Sequence, residues 1–368
     1  MNDVYQTYGL KQVINASGKM TILGVSKVSD RVLEAQKFGG QNFFEMSYLV
    51  LKTGQHLAKL IGAEDGVILA SASAAIAESV AALIGAGSLH HLYHPFDKRY
   101  TKREIIIPKG QNVDYGTPES LMIELGGGEV VEAGYANMCS PEHVGMMITE
   151  QTVAIFYVKS HHAVQKSMLT ISEVLEIARK YNLPLILDAA AEEDEDLKKY
   201  VAMGVDIVIY SGAKAFPGPS SALVLGKKPY SDWIRLPGKG IGRAMKIGKD
   251  NILGLTQAIE DYLEFGPEDG DSMKKRLEPF VNELNRVNNI EAKVEQDSAG
   301  RDIYRASVTV ARDSPITAKN LIAQLKETSP AIYTREYRAN IGVIEFDIRA
   351  VHEEEMKIIV RKIKEIMG

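Results

Sequence analysis

The chain has 368 residues, of which 45% are hydrophobic and 25% charged, a composition ordinary for a globular protein of about two domains. Its formal net charge of −5 excludes a strongly basic surface for binding nucleic acid. Cys139 is the single cysteine, so the chain cannot form an internal disulfide, and this suits a reducing cytoplasm.

The N-terminal segment, residues 1–24, is predicted to form an arm ahead of the first domain. It contains a short strand signal, VINA, followed by the turn residues Ser17 and Gly18. It lacks a basic region followed by a long apolar run, so we expect no secretory signal peptide. The apolar stretches of the chain are also too short and interrupted to span a bilayer. We therefore expect a cytoplasmic protein with no membrane partner.

A turn of small residues follows the first predicted strand of the main domain. Apolar residues at helical spacing predict a helix within residues 43–62, and residues 66–70 are predicted to form a strand. Ser71-Ala72-Ser73-Ala74-Ala75 then opens a helix that extends through Ile84. The exposed N–H groups and the dipole at such a helix start favour an anion. This turn is therefore a candidate phosphate site, and a plain serine N-cap is the alternative.

The middle of the chain alternates predicted strands and helices. Strands are predicted at residues 104–108, 129–132 and 153–158, and helices at 118–125 and 172–180. The strand at 153–158 ends in Lys159-Ser160-His161-His162. Because ligand crevices lie at carboxyl ends of strands, either histidine is a candidate site residue, and a packing histidine is the alternative. The histidines within residues 90–94 have no accompanying cysteine or acidic cluster, so no metal site is predicted.

The functional prediction depends on residues 184–214. The apolar runs 184–187 and 207–210 predict two buried parallel strands, joined by a short helix at residues 194–203. Asp188 follows the first run, and Lys214 lies shortly after the second. Both side chains are therefore expected at the carboxyl ends of neighbouring strands, where open α/β sheets bind their ligands.

A carboxylate and a lysine in one crevice fit pyridoxal 5'-phosphate (PLP). The lysine would carry the cofactor as a Schiff base, and the carboxylate would keep the pyridine nitrogen protonated, making the ring an electron sink. Ser211 adds a hydroxyl suited to the cofactor phosphate. The alternative is that Asp188 caps a helix and Lys214 is a solvated lysine. The neighbours of Lys214 favour the PLP interpretation because they are too small to shield it: Gly212, Ala213, Pro217, Gly218 and Pro219.

A glycine-rich basic loop occupies residues 238–246. Its glycine spacing is similar to that of a dinucleotide-binding motif, but no strand precedes it, so we reject that interpretation. Arg243 and Lys246, with Lys249 nearby, are candidates for binding a phosphate or carboxylate. A flexible surface loop is the alternative. A long helix is predicted next, at residues 251–265.

Residues 266–270, Gly-Pro-Glu-Asp-Gly, are the best candidate for a linker. Beyond them we predict helices at residues 273–287 and 317–326 and from residue 354, and strands at 292–295, 303–310, 331–334 and 341–347. The expected organisation is α/β: an arm at 1–24, a large domain at 25–266 with a mainly parallel sheet, and a small C-terminal α/β domain at 267–368.

Long segments of the chain resemble the fold type I PLP enzymes of the selenocysteine-synthase-like superfamily, and more closely the D-glucosaminate-6-phosphate ammonia-lyases. They span nearly the whole chain and include KQVINASGKMT, LASASAAIAESVAA, GGGEVVEAGYANMCS, YVKSHHAVQKSML, LPLILDAAAEED, YSGAKAFPGPSS, GIGRAMKIGKDNILGL and AIYTREYRANIGVIEFDIRAV. The resemblance implies a PLP-dependent transferase-like large domain. It also implies α,β-elimination of water from D-glucosaminate 6-phosphate or a similar 2-amino sugar acid phosphate, then imine hydrolysis to ammonia and 2-keto-3-deoxy-6-phosphogluconate.

The resemblance implies roles for the residues around the cofactor. Lys214 would be the Schiff-base lysine and Asp188 the partner of the pyridine nitrogen. The turn at Ser71, Ala72 and Ser73, together with Ser211, would surround the phosphate. His161 would lie near the ring and act in catalysis, with His162 beside it.

The resemblance also implies where the substrate binds. Arg335, from the small domain, would bind the substrate carboxylate. Arg243 and Lys246 lie in a loop that would approach the site of a neighbouring subunit. We therefore expect a homo-oligomer, either a dimer or a multiple of dimers.

The chain departs from the expected pattern at Gln111, where histidine is expected after Lys109-Gly110. If this position stacks on the ring, an amide replaces an imidazole. Other PLP activities on the same scaffold, racemisation or Cβ-substituent exchange, therefore stay open, as does a catalytically weak PLP- or metabolite-binding protein. Selenocysteine synthase fits less well, because the chain starts almost directly at the catalytic-domain pattern and its negative charge disfavours a tRNA partner.

Overall fold

The computed structural model describes residues 4–160, 163–191, 197–214, 216–297 and 300–368. The strands are β1 (Val13–Ala16), β2 (Asp65–Leu69), β3 (Glu104–Pro108), β4 (Glu129–Ala133), β5 (Thr152–Val158), β6 (Leu185–Asp188), β7 (Ile207–Ser211), β8 (Ala222–Gly226), β9 (Ile290–Gln296), β10 (Tyr304–Val310), β11 (Ala331–Thr334) and β12 (Val343–Phe346).

The α-helices are α1 (Val4–Tyr8), α2 (Asp30–Gln41), α3 (Met46–Ile61), α4 (Ala72–Gly85), α5 (Leu89–Tyr93), α6 (Glu119–Leu125), α7 (Pro141–Met147), α8 (Ile171–Lys180), α9 (Lys199–Met203), α10 (Lys228–Ile234), α11 (Lys249–Phe265), α12 (Gly270–Leu284), α13 (Ala318–Glu327) and α14 (Glu353–Met367). Short 3-10 helices lie at Thr21–Leu23, Lys109–Gln111, Pro237–Lys239, Ile241–Met245 and Ala339–Ile341. No helix in the described part of the chain is long and apolar enough to cross a membrane.

The chain folds as two compact units. Val28–Gly266 forms the larger unit, and Pro267–Gly368 forms the smaller unit together with the N-terminal residues up to Lys27. The segment expected as a separate arm thus contributes β1 to the smaller unit.

The larger unit is built on one seven-stranded sheet with the order β2-β8-β7-β6-β5-β3-β4. Strands β7, β6, β5, β3 and β4 are parallel, whereas β8 runs antiparallel to both of its neighbours, β7 and β2. The predicted α/β class with a mainly parallel sheet is therefore confirmed. Because β5, β6 and β7 are parallel neighbours, their carboxyl ends lie along one edge of the sheet.

Both faces of this sheet are covered, which explains the continuous apolar runs in the sequence. Successive side chains of a strand point to opposite faces, so Ile186 packs into one hydrophobic cluster and Leu187 into the other. Helix α4 is buried along almost its whole length, and its small residues pack it closely against the sheet. The carboxyl edge of the sheet therefore rests on a buried core.

The smaller unit has an antiparallel sheet with the order β12-β10-β9 and a separate parallel pair, β1 and β11. Its core contains Leu277, Phe280, Ile344, Phe346 and Ile359, which lie on helices α12 and α14 and strand β12. Val13 pairs with Ala331 in the β1–β11 ladder, so a segment near the start of the chain completes a structure formed near its end.

Candidate active site

Asp188 is the last residue of β6 and lies at the carboxyl edge of the sheet, where the strand pattern predicted it. The residue is only 6% exposed, and its Oδ1 accepts a hydrogen bond from the Ala190 backbone N–H at 2.8 Å. Burial raises the pKa of Asp188, while the Ala190 N–H and the positive charge of Lys214 oppose this rise. The carboxyl group is therefore shielded from water and sensitive to the charges beside it.

Lys214 lies in the loop between the antiparallel strands β7 and β8. Its backbone N–H bonds to the Ser211 carbonyl at 3.3 Å, which forms a turn directly after β7. Gly212 allows this turn to pack closely, because a Cβ atom there would lie 2.2 Å from Ser221 Oγ. The Nζ atom of Lys214 lies 5.9 Å from the centre of the Tyr115 ring. The loop thus brings the amine to the edge of the sheet that holds Asp188.

The start of α4 has the features expected of a phosphate-binding turn. Ser71 is the N-cap, and its Oγ accepts the Ala74 N–H at 3.0 Å, so the serine cap left as an alternative is present. The geometry of a helix start still leaves the N–H groups of Ala72 and Ser73 without intrahelical acceptors. The small side chains here leave room for an anion near these N–H groups.

Ser211 is the last residue of β7 and is 9% exposed. It pairs with Ala222 of β8, and β7 lies beside β6 in the sheet. The hydroxyl is therefore at the same edge as Asp188.

Two residues that sequence reasoning did not select lie in the same place. The Tyr115 hydroxyl and Ser73 Oγ are 3.1 Å apart, and burial raises the pKa of Tyr115 to about 12. Glu119, the first residue of α6, is 2% exposed and hydrogen-bonds to the carboxyl group of Asp188. Burial and then the negative charge of Asp188 raise the pKa of Glu119 to about 9. No sequence pattern singles out Glu119, because an acidic residue in a first helical turn is ordinary.

Gln111, the departure from the expected pattern, is buried with 2% exposure. Its Oε1 accepts the backbone N–H of Val158, the last residue of β5, at 2.9 Å. The amide therefore anchors the end of a strand at the edge where Asp188 lies.

Arg243, Lys246 and Arg335 were also predicted to belong to the site. Arg243 and Lys246 are exposed, in and just after the 3-10 helix Ile241–Met245, whose Gly242 packs against the Glu78 carboxyl. Arg335, in the smaller unit, has its Nε 3.4 Å from Glu345 Oε2. His161 and His162 lie outside the described residues.

The described residues fit PLP and do not form a metal site. Asp188 is a buried carboxyl at a strand end, Lys214 is close enough to influence its ionisation, and α4 begins with small residues. These are the three kinds of group that a pyridine nitrogen, an aldehyde and a phosphate require. Within the described ranges, no group of three His, Cys, Asp or Glu side chains has the arrangement of a metal site.

Comparisons with known proteins support this assignment. Residues 47–314 match the family described as SelA, L-seryl-tRNA selenium transferase. A D-glucosaminate-6-phosphate ammonia lyase from Salmonella typhimurium strain 14028s is 43% identical over 99% of this chain and 98% of its own length. A 5'-C-glycyluridine monooxygenase-decarboxylase from a Streptomyces species is 33% identical over 99% of this chain and 92% of its own.

Among solved structures, that of a D-glucosaminate-6-phosphate ammonia-lyase matches with a TM-score of 0.94 and 42% identity. The match covers 100% of this chain and 99% of the other. Both units of the present structure therefore have counterparts in that enzyme.

Proposed function

This chain belongs to the L-seryl-tRNA selenium transferase family, and we propose that it converts D-glucosaminate 6-phosphate, or a similar 2-amino sugar acid phosphate, to 2-keto-3-deoxy-6-phosphogluconate and ammonia. The observation that carries the proposal is 43% identity over essentially the full length of an ammonia lyase of that name. The predicted family, fold type I architecture, lyase class and PLP dependence are confirmed. The chain is a PLP-dependent enzyme.

Four elements of the site would hold the cofactor. Lys214 would form the covalent link, Asp188 would meet the pyridine nitrogen, and the N–H groups at the start of α4 together with Ser211 would bind the phosphate. Bound PLP supplies an electron sink that makes the C2 proton of the substrate acidic. The burial of Asp188 and the N–H bond from Ala190 support this arrangement, because they orient the carboxyl group before any ligand binds.

The side chains of this site would then move two protons. The Lys214 amine would take the proton from C2 of the substrate, and Lys214 or His161 would return a proton to the C3 hydroxyl as it leaves as water. The released enamine would tautomerise to an imine. Water would hydrolyse the imine to ammonia and the keto acid, so one water leaves and one is consumed.

Binding of the substrate would depend on three cations outside this cluster. Arg335 would bind the carboxylate, because a planar guanidinium matches two carboxylate oxygens. Arg243 and Lys246, both exposed, would bind the distal phosphate in the site of a neighbouring subunit. This composite site requires a homo-oligomer, a dimer or a multiple of dimers, which we place in the cytoplasm because the chain has a single cysteine.

The Streptomyces relative is named for a different reaction, so the scaffold by itself does not fix the chemistry. Racemisation at C2 is the alternative that the same base would support. C2 would then be reprotonated on its opposite face, and the C3 hydroxyl would be retained.

One incubation separates the two reactions. The enzyme, loaded with PLP, is mixed with D-glucosaminate 6-phosphate in deuterated water, and ammonia and both carbon positions are analysed. Deuterium at C3 of a keto acid with equimolar ammonia supports elimination. Deuterium only at C2 of recovered amino acid, without ammonia, would identify a racemase or epimerase. The same substrate without its phosphate is the matched control for the proposed roles of Arg243 and Lys246.

A further inference from the structure

Glu119 is buried beside Asp188, and its Oε2 lacks a hydrogen-bond donor within the described part of the chain. Its backbone N–H bonds to the Val113 carbonyl at 3.2 Å, which fixes the residue at the start of α6. The side chain is turned inward, and its Oε2 finds no N–H or O–H donor among the described residues. It hydrogen-bonds instead to the carboxyl group of Asp188.

A hydrogen bond between two carboxyl groups requires a proton on one of them, because ionised carboxylates only accept. Asp188 already accepts the Ala190 N–H, and the positive charge of Lys214 favours its ionised form. The same lysine charge acts on Glu119, but no N–H or O–H donor among the described residues reaches its Oε2. Two adjacent carboxylates in a buried site also cannot both ionise without a large cost. The proton therefore resides on Glu119, in agreement with its raised pKa.

We propose that Glu119 is a protonated positioning residue, which donates a hydrogen bond to Asp188 and keeps the carboxyl pair at a single negative charge where Asp188 meets the PLP ring nitrogen. One negative charge matches the one positive charge of a protonated pyridine ring. A second negative charge would be unbalanced in this buried place. The inference rests on the PLP-binding part of the proposed function and is independent of which amino sugar acid is the substrate.

The test uses infrared spectroscopy of the cofactor-free protein at pH 7, where a protonated carboxyl gives a separate C=O stretching band. Glu119→Gln is expected to lose one such band. Glu78 supplies the matched control, because it is 2% exposed and burial raises its pKa to about 8, so it also carries a proton at pH 7. Glu78→Gln should remove a different band. Asp188→Asn should shift the Glu119 band and leave the Glu78 band unmoved.

A second pair of variants, Glu119→Met and Glu119→Gln, tests whether the hydrogen bond from Glu119 controls the protonation of Asp188. In Glu119→Met the donor is lost, so the pKa of Asp188 should rise, and its protonated-carboxyl band should persist to higher pH than in the parent protein and be absent from the Glu119→Met/Asp188→Asn double variant. In Glu119→Gln this shift should be smaller, because the amide N–H replaces the donor. A purely structural role for Glu119 would produce neither result.

Two results would overturn the proposal. A Glu119 band that stays unmoved in Asp188→Asn would show that the two carboxyls are not paired. Loss of no band in Glu119→Gln would show that Glu119 is ionised. If Glu119→Met does not fold, the Asp188→Asn comparison decides alone. Because these measurements use no substrate, a negative result would not bear on the ammonia-lyase proposal. Conversely, a lack of ammonia release would not bear on the Glu119–Asp188 pair. Titration with PLP, followed by its visible absorption, then tests whether Glu119→Gln retains cofactor affinity.

Discussion

The hydrogen bond from the Val158 N–H to Gln111 stabilises the carboxyl end of β5, and a substitution at Gln111 measures its contribution. The Gln111→Met variant retains the length of the side chain but removes the oxygen that accepts the Val158 N–H at 2.9 Å. Because Gln111 is 2% exposed, water cannot easily replace that acceptor. Leaving a buried N–H unsatisfied costs about 1–3 kcal/mol. The end of β5 should therefore open more readily in the variant, while the rest of the sheet is unchanged.

Hydrogen exchange resolved to single amides measures this effect at Val158 itself. A loss of about 1–3 kcal/mol corresponds to exchange about 5- to 150-fold faster at that amide. Gln151→Met is the matched control, since Gln151 is exposed just before β5 and a surface change of this kind costs at most about 0.5 kcal/mol.

The same variant also settles whether Gln111 acts on the cofactor. We expect Gln111→Met to bind PLP with an unchanged visible spectrum, because the amide oxygen is committed to Val158. Unchanged exchange at Val158 combined with a tenfold loss of PLP affinity would refute this reasoning. The side chain would then be a cofactor contact and not an anchor for the strand.

Three further predictions concern the site, the assembly and stability. Lys214→Ala should lose the borohydride-reducible link to PLP, whereas Asp188→Asn should keep PLP and lose most turnover in an ammonia assay. Mixing inactive Lys214→Ala and Arg243→Ala chains should restore activity, because each hybrid would contain one intact shared site. Hybrids that form and stay inactive would contradict a shared site. Asp347→Ala should destabilise the protein by about 3–5 kcal/mol in urea unfolding at pH 7, because it leaves the 3%-exposed Arg305 side chain short of a partner. The pKa of Asp347 is lowered, so its contribution is present at neutral pH and should shrink on acidification below the ordinary aspartate range.

The strands of the parallel sheet could be predicted because each is a short apolar run bounded by small or polar residues. The β3 strand begins and ends where the pattern placed it, β6 is shifted by one residue at both ends, and β7 is one residue longer at its C-terminal end than predicted. The long-range pairings could not be predicted. The VINA segment pairs with residues 331–334, and nothing local indicates a partner so distant in the chain. The β8 strand was also missed, since its antiparallel place depends on the loop that carries Lys214.

The positions of Asp188 and Lys214 at one edge of the sheet could be predicted from the sequence, because the carboxyl ends of neighbouring parallel strands converge by geometry. Tyr115 and Glu119 could not. They directly follow Asp114 and Pro118, the two residues of an isolated antiparallel bridge that folds this segment back on itself. The predicted helix at 118–125 placed Glu119 in a first turn, where acidic residues usually face water. Its burial depends on tertiary packing, which the spacing of apolar residues in the sequence does not indicate.

Four buried acids of this chain, two in each unit, have different charged neighbours. In the smaller unit, burial opposes ionisation of Asp297 and Asp347, yet arginines outweigh it and lower the pKa of both carboxyls. Such acids stay charged at every physiological pH and serve the fold. In the larger unit, burial raises the pKa of Glu119 and Asp188, with one lysine and no arginine among the causes. Of these four acids, Glu119, whose pKa is raised to about 9, is the one that holds a proton at neutral pH, and this places a buried proton at the edge of the large sheet.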